Sequence, residues 1–240
     1  MIKRRDFYHQ NLKYSFNWNL KNHKETLSKL KTNQEDFKKL GAYFKKIYKG
    51  SFVPDNIFNT KNIPRVSQFK IKGLKIALLR SISKKLIRSG KIMNLDFNSR
   101  LPNYARKVYE SYIKNNINRK PGHEPILKNI LIKDNNSIAI EVPIWNKTED
   151  NYITGHIDLI QFEKNYVKVI DYKPEGDFLR SLPQVATYGL LMKKNLKLND
   201  LLCISFNKNG AWVYNPKILL TDLKKFLKFH KIFRPWEEYL

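Results

Sequence analysis

The sequence predicts an α/β protein in which a mixed sheet flanked by helices follows a basic, mainly helical N-terminal region. Three observations point there. Runs rich in β-branched residues occur near 137–145, 152–162 and 166–173, close enough together to form a meander. A helical stretch from Leu182 to about Lys194 separates them from two further strands, Leu201–Phe206 and Trp212–Tyr214. The charge is also divided unevenly: residues 1–100 carry 24 basic and 6 acidic side chains, residues 101–240 carry 22 and 15.

In chain order, residues 1–50 mix Lys, Asn and aromatics. Phe37, Leu40, Phe44, Ile47 and Tyr48 fall at helical spacing, predicting an amphipathic helix over Glu35–Tyr48 that ends near Gly50. Residues 52–64 hold Pro54, Pro64 and several Asn, a loop signature. Helical periodicity resumes over Val66–Leu95 through Leu74, Leu78, Ile82 and Leu86, with Gly90 as its stop. A third helix is expected from about Tyr104 to Asn118, then a turn at Pro121-Gly122 before the meander, and a last helix over Leu219–Phe229. The order helix, three strands, helix, strand is an α/β sandwich rather than a run of βαβ repeats, and residues 101–240 are expected to form the core domain beside a basic region of residues 1–100.

Composition narrows the function. With 42% apolar residues in 240 the chain can build a real core, and its net charge of +25 predicts a polyanionic partner, a nucleic acid or an anionic membrane surface. No apolar run approaches a membrane span and no secretory leader is evident, so the setting is expected to be intracellular: cytoplasmic, nucleoid-associated or organellar. The apolar stripes of the basic region suit burial in a core better than insertion into a bilayer. Cys203 stands alone in Leu201–Phe206, which excludes a disulfide framework and an iron-sulfur cluster and reads as a buried strand residue. There is no glycine-rich phosphate loop and no internal repeat.

In the basic region Lys70, Lys72, Lys75, Arg80, Lys84, Lys85 and Arg88 run without an intervening acid, so helical ion pairs do not balance them. They are candidates for phosphate contacts, against the plainer possibility of a solvated face. Tyr8, Tyr14, Phe16 and Trp18 are suited either to stacking on bases or to packing on the body.

The sharpest feature is a pair of aspartates. Strand alternation over 152–161 puts Thr154, His156 and Asp158 on one face, and in the next strand Asp171 and Lys173 share a face. A tight connection around Glu163–Asn165 sets Asp158 beside Asp171, where two like charges repel unless a cation lies between them. Glu141, opposite an apolar set in Ile138–Ile144, faces either this site or solvent; His156 is either near the site or a hydrogen-bonded strand histidine. Pro183 suits a first helical turn with Ser181 as its cap, so that Gln184 and Tyr188 lie one above the other at i and i+4. Arg180, just before that helix, is either a phosphate contact or a surface arginine.

Gly155-His156-Ile157-Asp158, Asp171-Tyr172-Lys173 and Gln184-Val185-Ala186-Thr187-Tyr188, in this order, resemble the Gly-x-x-Asp, Asp/Glu-x-Lys and Gln-x-x-x-Tyr motifs of the PD-(D/E)XK nuclease superfamily, in its RecB-like branch. Relatives in that branch include λ-type exonucleases and CRISPR-adaptation nucleases. The resemblance covers about residues 104–215 and implies a restriction-endonuclease-like core. It further implies that Asp158, Asp171 and the Tyr172 carbonyl ligate Mg²⁺ or Mn²⁺, while Lys173 orients or deprotonates the attacking water. The family places another ligand on an upstream helix: Glu124 is the candidate, His123 the alternative and Glu110 a third. The implied activity is metal-dependent hydrolysis of DNA by an exonuclease acting on ends or single strands in repair, recombination or replication. The competing possibilities are a structure-selective or site-specific endonuclease and a non-catalytic nucleic-acid-binding protein that keeps the fold. Without helicase motifs, such a protein is free-standing or a subunit of a larger assembly.

Overall fold

The structure is a computed structural model, and residues 1–30, 34–50, 52–148, 151–163, 165–174 and 177–240 are described. Eight strands form one sheet in the order β1-β2-β4-β5-β6-β7-β8-β3. They are β1 (Ile2–His9), β2 (Leu12–Asn19), β3 (Ile92–Leu95), β4 (Ser137–Lys147), β5 (Tyr152–Glu163), β6 (Tyr166–Tyr172), β7 (Leu201–Phe206) and β8 (Ala211–Tyr214). All neighbours are antiparallel except β6 and β7, which are parallel and joined through helix α7 (Phe178–Leu196), as a parallel pair requires. The mixed sheet and the β4-β5-β6 meander match expectation.

The N-terminal region does not. It opens with a β-hairpin rather than a basic helix. Gln10 and Asn11 take φ of 50° and 64° and close a two-residue turn of the kind that matches strand twist, although neither is glycine. Alternation then buries Phe7 and His9 on β1, while Phe16 and Trp18 on β2 join the core, so these two aromatics pack and do not present faces to a base. Tyr8 remains exposed. Helices α1 (Leu20–Lys29), α2 (Gln34–Lys49) and the single turn α3 (Asp55–Phe58) follow; α2 buries Phe37, Leu40, Phe44 and Ile47, as its spacing predicts, and ends at Gly50 with φ 95°.

The helix expected over Val66–Leu95 is shorter. A 3-10 turn at Val66–Gln68 gives way to extended chain, Gly73 at φ 75° breaks the helical path, and α4 spans only Ile76–Arg88. Lys70, Lys72 and Lys75 therefore lie before the helix and not on it. Gly90, at φ 71°, does stop it, and the next residues form edge strand β3. Helices α5 (Arg100–Lys114) and α6 (His123–Lys133) cover one face of the sheet with Leu101, Val108, Ile126 and Ile130 against Ile140, Leu159 and Ile170. Helices α2, α4, α7 and α8 (Asp222–Phe229) contribute to a larger core that takes up Val142, Ile157, Val167 and Val169.

The start of α7 also differs from expectation. Its cap is Asp177, whose side chain accepts from the Leu179 amide, so Ser181 and Pro183 lie inside the helix and Arg180 is in its first turn. Asp177 ends the loop that leaves β6, which is why the helix begins several residues early. Cys203 is a buried strand residue whose thiol donates to the Val185 carbonyl, as expected of a structural cysteine.

Candidate active site

Sheet register assembles the site. Pairing of Leu159 with Ile170, continued by one residue, sets Asp158 against Asp171, and pairing of Ile140 with Leu159 and of Val142 with Ile157 sets Glu141 against Asp158. Three acidic residues thus occupy adjacent register positions on neighbouring strands. The middle of the β5–β6 connection, residue 164, lies outside the described residues. At this level the strands change partners: Val142 and Ile157 pack into the α7 core, whereas Ile140 and Leu159 pack against α5 and α6. The turning point is Glu141, at φ 51°, a strained conformation for a residue with a Cβ.

Asp171 is fully buried and Asp158 is 7% exposed, so neither is the solvent-facing strand residue that an isolated Asp-x-Lys usually supplies. Asp158 Oδ2 accepts from the Tyr172 amide at 2.9 Å. Lys173 Nζ lies 2.5 Å from Asp171 Oδ2 and donates to Gln184 Oε1 at 3.0 Å, while Gln184 Nε2 donates to Asp171 Oδ1 at 3.3 Å. One amide therefore holds both the carboxylate and the amine. Tyr188, one turn further along α7, is buried against β5.

His123, at the start of α6, enters from the other side. Its Nε2 is 3.0 Å from the Tyr172 carbonyl and 4.0 Å from Asp158 Oδ2. Glu124, its neighbour, points outward with a side chain 68% exposed and pairs with Lys128 at 2.6 Å. Both line a groove of about 230 Å³ beside Glu141, with Tyr14 and Asn17 of β2 on the opposite wall. Glu110 is exposed on α5. Lys70, Lys72, Lys75, Arg80, Lys84, Lys85 and Arg88 are all exposed, and no ion pair to an acid is formed by them among the described residues. Arg180 is half-buried, and its carbonyl accepts from the Ile71 amide.

Burial and mutual repulsion set the charges. Burial first, then Asp171 and Glu141, hold the Asp158 carboxyl well above the usual range; burial, Asp171 and Glu124 push Glu141 up to about 8. Burial works against the Lys173 ammonium, but Asp171 and Asp158 outweigh it and keep its pKa above the ordinary lysine value. Burial lowers His123 and His156, favouring neutral imidazoles.

These residues fit a divalent cation. Glu141 Oε2 and Asp171 Oδ2 are buried without a hydrogen-bond donor; the Lys173 ammonium is close to the latter but lacks hydrogen-bond geometry. His123 Nε2 is hydrogen-bonded to the Tyr172 carbonyl at 3.0 Å, which sets these two donor atoms side by side next to Asp158. Among the described residues, no three His, Cys, Asp or Glu side chains are close enough to form a ligand set unaided. Such an open set, finished by water and phosphate oxygens, is the habit of Mg²⁺ rather than of a closed structural site.

Several residues here carry no strong local signal in the sequence. Arg65 donates from Nη2 to the Tyr14 hydroxyl at 3.0 Å, its Nε is buried without an acceptor, and it forms no ion pair to an acid among the described residues. The Tyr14 ring lies 3.9 Å from that of His156, whose Nε2 is 3.4 Å from Glu141 Oε2, and His156 Nδ1 is 3.4 Å from His9 Nδ1. Long-range pairing through the N-terminal hairpin creates this wall. Glu141, a lone carboxylate in an apolar run, and His156, on the Asp158 face of its strand, are the members of it that alternation alone marks as candidates.

Gly155 shows how tightly the site is built. A Cβ there would stand 2.5 Å from the Tyr188 ring. Gly155→Ala is expected to cost about 1–3 kcal/mol in denaturant unfolding, the usual penalty for overpacking, and a smaller side chain in Tyr188→Leu should recover some of it. A loss under about 0.5 kcal/mol would contradict this contact.

A family model described as the PD-(D/E)XK nuclease superfamily matches residues 78–222, from within α4 to the start of α8. No curated protein matches the chain.

Proposed function

From the premise that this chain belongs to the PD-(D/E)XK nuclease superfamily, we propose that it is a divalent-metal-dependent nuclease of the RecB-like branch, an exonuclease acting on DNA ends or single strands. The observation that carries this is the joining of Asp171, Lys173 and Gln184 in one hydrogen-bonded unit beside Asp158. The Gln184–Tyr188 face of α7 supports the branch, and the small groove between β2 and α6, about 230 Å³, suits one strand better than a duplex.

In the proposed centre Asp158, Asp171 and the Tyr172 carbonyl hold Mg²⁺ or Mn²⁺, with His123, rather than Glu124, as the upstream ligand. The cation, when bound, polarises the scissile phosphate and lowers the pKa of a water molecule. Lys173, held charged, orients that water and offsets negative charge growing on the phosphate; its raised pKa opposes a role as general base. Gln184 fixes the ammonium against Asp171, so positioning does not depend on a flexible four-carbon stem. Arg65, held on the Tyr14 hydroxyl, supplies positive charge beside Glu141. The exposed lysines and arginines of residues 70–88 add non-specific phosphate attraction.

Protons and metal compete at this site. Burial and neighbouring carboxylates push Glu141, beside the proposed ligands, up to about 8 and hold Asp158 high, so binding of a cation is expected to expel protons at neutral pH. Mn²⁺ affinity is expected to rise by up to about tenfold per pH unit for each proton released, levelling above about pH 8. Affinity that is constant between pH 6 and 8 in calorimetry would contradict this coupling.

The substrate mode is tested with end-labelled linear DNA, single-stranded and duplex, against a covalently closed circle and an RNA of the same sequence. Progressive shortening from ends with the circle untouched is expected. Cutting of the circle would favour a structure-selective or site-specific endonuclease, and salt-sensitive binding with no cleavage under either metal would favour a non-catalytic protein on the same fold.

A further inference from the structure

A second cleft, of about 530 Å³, opens away from the carboxylates between α2, the end of β4, the start of β5 and the end of α7. Phe52, Trp145 and Tyr152 contribute aromatic walls, and Lys46, Lys147 and Lys197 are among the side chains that line it; no Asp or Glu does so among the described residues. The rings of Phe52 and Trp145 meet edge to face, 5.0 Å apart at 61°, Phe58 and Tyr43 also pack on the indole, and its side chain stays partly exposed. Lys46 Nζ sits 5.5 Å over Phe52 and Lys147 Nζ 5.8 Å over Tyr152, against ring faces, with no carboxylate partner among the described residues. The Asn195 amide donates to the Trp145 carbonyl at 2.7 Å and fixes that wall, and Asn146 Nδ2, at the cleft, is buried without an acceptor.

Aromatic faces alone would suit any apolar ligand, and lysines alone would suit any anion. Together they fit a flat base with phosphate on either side, and the volume is in the range of small-ligand sites. Trp145 pairs with Thr154, four residues along β5 from Asp158, which is about 13 Å of strand. Resting on the nuclease reading above, we propose that this cleft binds an unpaired base of a nucleic-acid strand outside the catalytic centre, stacking it on Trp145 while Lys46, Lys147 and Lys197 contact the flanking phosphates. The chain thereby gains a preference for single strands.

The test uses the full chain in EDTA, so that binding is read without cleavage, with a fluorescein-labelled oligothymidylate and a blunt duplex as probes. Trp145→Ala, and separately the combined Lys46→Gln, Lys147→Gln and Lys197→Gln variant, are expected to bind the single strand about tenfold or more weakly, with duplex affinity little changed. The lysine variant alters exposed side chains and leaves the packing intact; its salt dependence should fall by about 0.7 in log–log slope for each phosphate no longer engaged. Quenching of tryptophan fluorescence by the oligonucleotide should vanish in Trp145→Phe. Single-strand binding equal to wild type in both the Trp145→Ala and the lysine variants overturns the inference, including if the cleft instead serves a protein partner, while cleavage by the wild type leaves the nuclease reading standing. A wild type that neither binds nor cuts any nucleic acid overturns both.

Discussion

Asp158→Asn is expected to abolish hydrolysis and, at the same time, to make the metal-free protein more stable. Loss of the proposed ligand is expected to remove several kcal/mol of transition-state stabilisation, a fall of about 10³-fold or more in kcat. The amide keeps an oxygen for the Tyr172 N–H that Asp158 now accepts at 2.9 Å, so the local strand geometry is retained. What disappears is a buried charge facing Asp171 and Glu141. A gain of about 1–2 kcal/mol corresponds to roughly 2–8 °C in Tm for a chain of this size. The sign with pH follows from the raised carboxyl: below about pH 4 the unfolded aspartate is also protonated and the variant gains nothing, and the gain grows as pH rises toward neutrality. A thermal melt in EDTA at pH 4 and pH 7 checks it; a destabilised Asn variant at pH 7 would mean that Asp158 is a structural residue.

Lys173→Met is the second large effect. A rate loss of about 10²–10⁴ is expected from removing the group proposed to orient the nucleophile and stabilise charge, with nucleic-acid affinity nearly unchanged. Lys173→Arg should not rescue activity. The ammonium meets Gln184 Oε1 at 3.0 Å and Asp171 Oδ2 at 2.5 Å as a compact point charge, and a planar guanidinium presents a fork that does not fit both. Single-turnover cleavage against binding in EDTA separates the two effects. A variant that binds more weakly but turns over at the normal rate would move Lys173 from the chemistry to substrate binding.

What is legible in the sequence follows the range of the interactions. The β4-β5-β6 meander, α2 and the adjacency of Asp158 and Asp171 depend on local periodicity and one short connection, and these are the features that the residues specify nearby. The N-terminal hairpin escapes a local reading because its turn uses Gln10 and Asn11 in place of the Asn-Gly pair that marks such turns, and its Lys and Arg residues mask the alternation of Phe7, His9, Phe16 and Trp18. The choice between His123 and Glu124 as the proposed upstream ligand is ambiguous in the sequence for a related reason. His123 and Glu124 are adjacent on the first turn of α6, and only tertiary placement turns the imidazole toward the Tyr172 carbonyl and leaves Glu124 to pair with Lys128. Arg65 lies outside the segment matched by the family and reaches the site through Tyr14, a contact between residues 51 positions apart.

The most direct test of the proposed centre compares two Mn²⁺ titrations of the wild type: cleavage of end-labelled single-stranded DNA, and the rise in Tm. A centre built on Asp158, Asp171 and the Tyr172 carbonyl predicts that the two midpoints coincide and that Asp171→Asn loses both responses while remaining folded. Cleavage by Asp171→Asn equal to that of the wild type, or metal stabilisation that persists in it unchanged, would contradict the assignment.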